Sequence, residues 1–212
     1  MVIRRRSVAD HLLNWIVPVL VMMLHPLPVL AQDEQVEKID EADNPAPIFQ
    51  HEDVLQIRIE ARFSAIFRSR GDAAEYFPAM LYYPGMDNVE VATPLQIKTR
   101  GNFRNRRNVC SFPPLMLDFP RGEMAATIFA GENRIKLVTH CQARARYYDY
   151  VLLEYLNYRI LNLLTDYSMK VRLLEMRYVN SETSRTIAET HGFLLEDIER
   201  MATRLQLSEV KL

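Results

Sequence analysis

The sequence has little cysteine and glycine, and almost no excess charge of either sign. Its 212 residues include two Cys and six Gly, and 26 basic against 27 acidic residues leave a formal net charge of -1. Two cysteines are too few for a disulfide-dense small protein or a four-cysteine zinc site. The balanced charge argues against a nucleic-acid binder that works through bulk positive potential. Few glycines argue against collagen-like repeats, and 49% hydrophobic residues are typical of a folded domain.

The first 31 residues have the features of a secretory signal peptide. Three arginines at positions 4–6 form a basic start, residues 11–31 carry no charged side chain, and the run ends at the small residue Ala31. This order predicts cleavage after Ala31 and a periplasmic or secreted mature protein. An uncleaved membrane anchor is the alternative, because about 20 uncharged residues can just span a bilayer. Only in that case would the protein contact a membrane.

Export bears on how Cys110 and Cys141 are interpreted. In an oxidising compartment two thiols tend to close into a disulfide. A bridge here would enclose 30 residues and would stabilise the fold by about 3–4 kcal/mol if loop entropy dominates. Two buried free thiols are the alternative. No metal site is predicted, since His140 and Cys141 have no second Cys–His pair at ligand spacing.

The remaining chain divides into a lead-in and one domain. Residues 32–50 are acidic and contain proline without apolar periodicity, which predicts a flexible lead-in. Residues 51–212 form the domain, and period-two alternation predicts five or six strands within 54–140. The run from Tyr147 to Leu164 has no Gly or Pro and few polar positions, which predicts a long, largely buried helix. Two strands and a final helix follow, so we expect an α+β fold with a mostly antiparallel sheet packed on one long buried helix.

The segment 98–107 is the strongest candidate for binding chemistry. It holds five cations around Gly101. Backbone amides near a glycine turn and planar guanidinium groups suit a phosphate or carboxylate, so Arg100, Gly101, Asn102 and Arg104 are predicted to bind an anionic ligand. A solvated basic loop is the alternative.

Lys136 and the acidic pair Glu196 and Asp197 are further candidates for functional chemistry. Lys136 lies on the polar face of a predicted strand, where a lysine that faces a cleft can hold an anion; an exposed lysine without a ligand is the alternative. Glu196 and Asp197 open the last helix, where they complement the helix dipole and can cap it. Ion pairing or metal binding is the alternative for this acidic pair.

Nucleophilic catalysis has little support in the sequence. There is no G-x-S-x-G motif, so no catalytic residue is assigned. His140 is interpreted as structural. The five tyrosines between positions 147 and 158 are interpreted as core residues of the long helix.

Five segments stand in a recognisable order and spacing between residues 95 and 200: Thr99–Asn102, Pro114–Phe119, Ile135–Thr139, Leu152–Ile160 and Phe193–Glu196. In this order and spacing the chain resembles the CotH-type secreted atypical kinases. The resemblance implies a kinase-like N-terminal lobe in which Arg100, Lys136 and Glu196 lie on the ligand side, with ATP and Mg as the implied ligands. The chain departs from the family at Val109-Cys110-Ser111, where lysines often stand.

The same resemblance implies a second, mostly helical lobe that carries metal-binding and catalytic residues. The chain has no room for such a lobe after Glu196, so we expect an exported bacterial protein that corresponds to the N-terminal part of such a kinase and binds a nucleotide or phosphate. Whether it is an enzyme is left open. The alternative function is a non-catalytic cell-envelope binding or structural module that uses the loop 98–107. No protein partner or oligomeric state is predicted.

Overall fold

The structure is a computed structural model that describes residues 44–85 and 87–208. The predicted signal peptide and most of the predicted lead-in lie outside these residues. Short 3₁₀ turns at Pro47–Phe49 and Gly71–Ala73 precede the first and second strands. The strands and helices of the described part are β1 (Leu55–Ala61), α1 (Phe63–Ile66), β2 (Phe77–Pro84), β3 (Glu90–Thr99), β4 (Leu115–Asp118), β5 (Arg134–Val138), α2 (Ala145–Leu164), β6 (Val171–Asn180), β7 (Arg185–Leu195) and α3 (Ile198–Arg204).

The seven strands form a closed barrel in the order β1-β2-β3-β4-β5-β7-β6. Neighbours pair antiparallel, except that β1 runs parallel beside β6, with Leu55 opposite Leu174 and Ala61 opposite Asn180. The predicted α+β fold, a mostly antiparallel sheet packed on one long buried helix like a kinase N-terminal lobe, is therefore wrong. Alternation within a strand sets which side chains point inward, but it carries no information on whether the first strand pairs with a strand far along the chain.

The barrel interior is filled by the inward side chains of all seven strands. In β1, for example, Leu55, Ile57 and Ile59 are buried while Gln56 is exposed, as the sequence alternation predicts. In barrels of about this size, side chains can fill the interior. Each large aliphatic side chain buried there contributes about 1.5–3 kcal/mol of hydrophobic stabilisation.

The long helix α2 packs against the outside of the barrel. Its residues Val151 and Tyr155 are buried and form a second small core with Val138, Val171 and Phe193 on the outer faces of β5, β6 and β7. The opposite face of α2 is exposed, so the prediction of a largely buried helix is also wrong. An apolar sequence shows which surface needs cover, but only the tertiary packing shows what covers it.

The predicted disulfide between Cys110 and Cys141 is confirmed. It joins the loop between β3 and β4 to the segment that follows β5, and the adjacent bridge between Phe112 and Cys141 pairs the same two segments. At the other end of the described chain, Ile48 and Phe49 are buried against the barrel just before β1. None of the helices among the described residues has both the length and the hydropathy needed to cross a membrane.

Candidate anion-binding site

Lys136 lies on the outer surface of the barrel. The neighbouring residues Ile135 and Leu137 point inward and are fully buried, so the alternation of β5 turns Lys136 outward. Its Nζ lies 3.3 Å from a carboxylate oxygen of Asp197, and less than a fifth of either side chain is exposed. The ion pair with Asp197 fixes the position of the Lys136 ammonium group between β5 and the start of α3.

Arg100 follows β3 and reaches the same region. Burial and, next, the charge of Arg104 lower the pKa of Arg100, while Tyr158, Asp197 and Glu154 offset part of the shift. Its backbone N–H donates to the carbonyl of Pro114, which fixes the point where the chain leaves the sheet. Within the described residues, however, its half-buried guanidinium has no hydrogen-bond acceptor and no ion pair. An arginine stays charged in a protein, so it is a cation without an assigned partner.

Arg104 fastens the loop after β3 to the long helix. One guanidinium nitrogen lies 3.0 Å from Glu154 on α2, and another donates to the carbonyl of Thr139 just past β5. These contacts occupy two of its donors, so Arg104 adds positive charge to the site and also holds the loop in place. Arg106 lies over the ring of Phe103, and Arg107 donates to the carbonyl of Arg68, so both point to other surroundings.

Gly101 and Asn102 lie at the exposed turn that links Arg100 to Arg104. Gly101 has φ +88°, and a Cβ built there would meet no atom within 4 Å. The glycine is therefore needed for its backbone conformation and not to make room for a ligand. Both residues shape the loop, and no contact among the described residues assigns them a further role.

Glu196 lies next to this region but faces the protein interior. Its carboxylate accepts hydrogen bonds from Nε and Nη2 of Arg204 at 3.0 and 2.9 Å and from the backbone N–H of Lys170 at 2.9 Å. Both oxygens are thus used, and the residue is only 2% exposed. The structure places Asp197 beside the cations instead, and Asp197 also caps α3 by accepting from the Glu199 N–H at 3.1 Å.

A cavity of about 550 Å³ lies beside Arg104, between the loop and the first half of α2. Its wall includes the buried His140, whose pKa is lowered to about 4 by burial first and by Arg104 second. His140 is therefore neutral near neutral pH, and its Nδ1 has no partner in the described part of the chain. The cavity combines an apolar wall with the Arg104–Glu154 pair, and neither Arg100 nor Lys136 is among the residues that line it.

Sequence reasoning missed this cavity because it assigned His140 and the tyrosines to the core. Tyr147 and Tyr150 in fact line the cavity and are only partly covered. Together with Val151 and Glu154 they follow the spacing i, i+3, i+4, i+7. That pattern marks one face of a helix and could have shown that these side chains point to the same place.

A second groove, of about 720 Å³, is lined by three carboxylates, Glu90, Glu175 and Glu189, and by two arginines, Arg58 and Arg177. Arg58 is paired with Glu60 and, at 3.1 Å, with Glu90; Arg177 lies 2.6 Å from Glu189. Each of these cations has a carboxylate partner, so we do not place the anion site there.

The structure thus gathers Arg100, Arg104 and Lys136 around Asp197 and Glu154; we call these three cations the cation cluster. Glu196 does not face it. Comparison of the chain with protein-family models, curated proteins and solved structures finds no match.

Proposed function

We propose that this protein is an exported binding module that holds a phosphate-bearing ligand at its cation cluster. The observation that carries the proposal is the Arg100 guanidinium, which is half-buried yet has no acceptor among the described residues. Moving a charged group partly out of water costs free energy unless a counter-charge accompanies it. A phosphate oxygen pair would match the planar guanidinium and supply that charge.

The balance of charge around Arg100 supports an anionic ligand. Three cations of the cluster face two nearby carboxylates, Asp197 and Glu154, and each carboxylate already pairs with one of the other cations. Arg100 is the remaining positive charge, so the cluster is net positive in a chain whose overall charge is slightly negative. A local field of this sign attracts an anion without making the whole surface basic.

We also propose that the chain is related to the CotH-type proteins. The resemblance points to Arg100, Lys136 and Glu196. The first two lie close to a shared Asp197, whereas Glu196 accepts hydrogen bonds from Arg204. The kinase-like lobe that the resemblance implied is overturned by the closed barrel, so we propose ligand binding alone. Export is part of the proposal: disulfides persist mainly in oxidising compartments, and the sequence predicts a signal peptide that ends at Ala31.

The experiment is a thermal-unfolding titration with inorganic phosphate, pyrophosphate and ATP–Mg²⁺ at constant ionic strength. A ligand that binds only the folded chain raises its stability by about 2.7 kcal/mol at a hundredfold excess over Kd. We expect Arg100→Ala and Lys136→Ala each to weaken phosphate binding about tenfold or more, the size of one lost charge-assisted contact. The matched control is Arg134→Ala, on the same strand and the same outer face as Lys136.

The outcomes separate three interpretations. A shift for all three probes that depends on Arg100 and Lys136 supports a phosphate site, and a much larger shift for ATP–Mg²⁺ narrows it to a nucleotide site. Equal weakening by Arg134→Ala would show attraction to bulk charge and would reject a built site. The proposal also fails if none of the probes shifts the unfolding midpoint.

A further inference from the structure

The long helix α2 is apolar on two opposite faces, of which the barrel covers only one. The covered face carries Val151 and Tyr155. A soluble helix with a single buried face usually has charged and polar residues on the other side, whereas a helix that is apolar all round is normally covered on all sides. We call the uncovered set the outer stripe: Tyr150, Leu153, Leu156, Ile160, Leu161, Leu163 and Leu164, with Tyr167 just after the helix.

The outer stripe is large enough to be an interface. Each of its eight side chains is between 47% and 80% exposed. At roughly 150 Å² for a free side chain of this size, the stripe presents on the order of 700 Å² of surface. The largest apolar patch on a typical monomer is about 300–600 Å², whereas a standard stable interface buries about 800 Å² per partner. The area therefore matches one side of a dimer better than the surface of a lone chain.

The order of residues along the stripe fits a second copy of the same helix. Tyr150, Leu153, Asn157, Ile160 and Leu164 are spaced 3, 4, 3 and 4 residues apart, which is the seam of a helix pair. Asn157 stands near the middle, with apolar residues on both sides. A two-fold axis through Asn157 would place Leu153 opposite the Ile160–Leu161 region of the other copy and Tyr150 opposite Leu164. The two Asn157 side chains would then lie opposite each other, and the NH₂ group of each amide can donate a hydrogen bond to the carbonyl oxygen of the other.

The charged residues near the stripe lie at its two ends. No charged residue of the outer stripe interrupts its central turns, so no like charges would meet there. The exposed Arg146 lies in the first turn of α2, and the exposed Asp166 lies just past its last turn. Antiparallel packing about Asn157 would bring both Arg146 and the exposed Asp149 of one copy to the Asp166 end of the other, so one opposite and one like charge would approach Asp166 there. That end also carries the negative pole of the helix dipole, which favours a cation.

We infer that the outer stripe is the interface of a homodimer in which the α2 helices of two copies pack antiparallel about a two-fold axis at Asn157. Such an interface is isologous, because the same surface is used by both copies. Its apolar centre and its polar residue on the axis set both the affinity and the register. The inference does not depend on the cation cluster, although Tyr150 of the stripe also lines the cavity beside Arg104.

The first experiment measures the mass of the full chain in solution, as processed by the cells that produce it, by light scattering and sedimentation across micromolar concentrations. We expect twice the mass of one chain. Ile160→Lys should raise the dimer dissociation constant at least about a hundredfold, because it buries an unpaired charge at the interface. Val89→Lys is the matched control: Val89 is 62% exposed on the hairpin between β2 and β3, and its replacement should leave the dimer intact.

The second experiment tests the two-fold axis. Both native cysteines are in the disulfide, so Asn157→Cys introduces a single free thiol. If the axis passes through this position, mild oxidation should give a covalent dimer, while Ser64→Cys on the exposed side of α1 should not. A monomeric parent chain would overturn the inference, whether the stripe is bare or covered by another part of the same chain. A dimer that survives Ile160→Lys, or that fails to cross-link at position 157, would overturn it as well.

Discussion

Two buried glutamates near the start of α3 differ in how their charge is compensated. Glu196 accepts three hydrogen bonds, two of them from Arg204. Glu132 is only 3% exposed, yet one of its oxygens has no hydrogen-bond partner among the described residues, and the nearest cation, Arg200, lies 3.5 Å away. The two carboxyl groups are close enough for the charge of Glu196 to act on Glu132. Burial alone therefore does not decide whether a carboxylate stabilises the fold; its donors do.

The pKa of Glu132 reflects this missing compensation. Burial raises it from 4.5 to about 7, and the charges of Glu196 and Asp197 add to the shift while Arg200 opposes it. Between pH 4.5 and 7 the folded chain therefore holds a proton here that the unfolded chain has lost. The contribution of this proton to the free energy of unfolding is therefore complete below about pH 4.5 and is lost as the pH rises to 7.

His140 has the opposite pH dependence. Its pKa falls from 6.5 in the unfolded chain to about 4 in the folded one, so the unfolded chain holds the extra proton between these values. Stability from this residue is lost as the pH falls through that window. Since the two windows overlap, the contributions of Glu132 and His140 oppose each other, and the stability of the parent chain should vary little between pH 4.5 and 6.5.

The largest effect is expected for Glu196→Gln. The substitution removes the charge that compensates the buried Arg204 and should lower the free energy of unfolding by about 3–5 kcal/mol. Urea denaturation at about pH 8 measures it. The exposed Glu123→Gln is the control and should change stability by less than about 0.5 kcal/mol. A loss at position 196 no larger than at position 123 would show that the Glu196–Arg204 pair contributes nothing.

The same change at the other glutamate should act in the opposite direction. Glu132→Gln removes a carboxylate whose ionisation is unfavourable in the folded state, so it should raise stability by about 1–3 kcal/mol at about pH 8. The gain should disappear at pH 4.5, where the native carboxyl is already protonated. Denaturation midpoints at both pH values check the prediction. A destabilised variant at both pH values would mean that Glu132 has donors that these contacts do not show.

The smallest effect is expected for Arg200→Ala. Arg200 is about one-third exposed, and its distance from Glu132 is long for an ion pair, so the loss should stay below about 1 kcal/mol at about pH 8. The variant should also raise the pKa of Glu132 further, because the opposing positive charge is gone. Arg204→Ala in the same helix is the comparison. If both arginine variants lose equal stability, the contrast between the two glutamates is not real.

The cation cluster was partly predictable from the sequence. The basic segment after β3 and the outward position of Lys136 follow from composition and from strand alternation. The role of Glu196 did not follow, because adjacent acidic residues at a helix start look alike in sequence. The backbone after β7 turns Glu196 inward to Arg204 and leaves Asp197 beside Lys136. The backbone conformation at the end of β7 decides which of the two neighbouring carboxylates points to the cation cluster, and the spacing of residues in the sequence does not encode that conformation.

The sequence by itself determined the inward and outward faces of the strands, the place and largely apolar composition of the long helix, and the two cysteines available to pair. These are local properties, set by the period of the side chains and by chemistry. Only the tertiary structure decided that β1 closes against β6, that α2 lies outside the barrel with one face bare, and that Arg100 and Lys136 approach Asp197. Those outcomes depend on contacts between residues far apart in the chain, where many pairings satisfy the same local pattern and packing of the whole selects one.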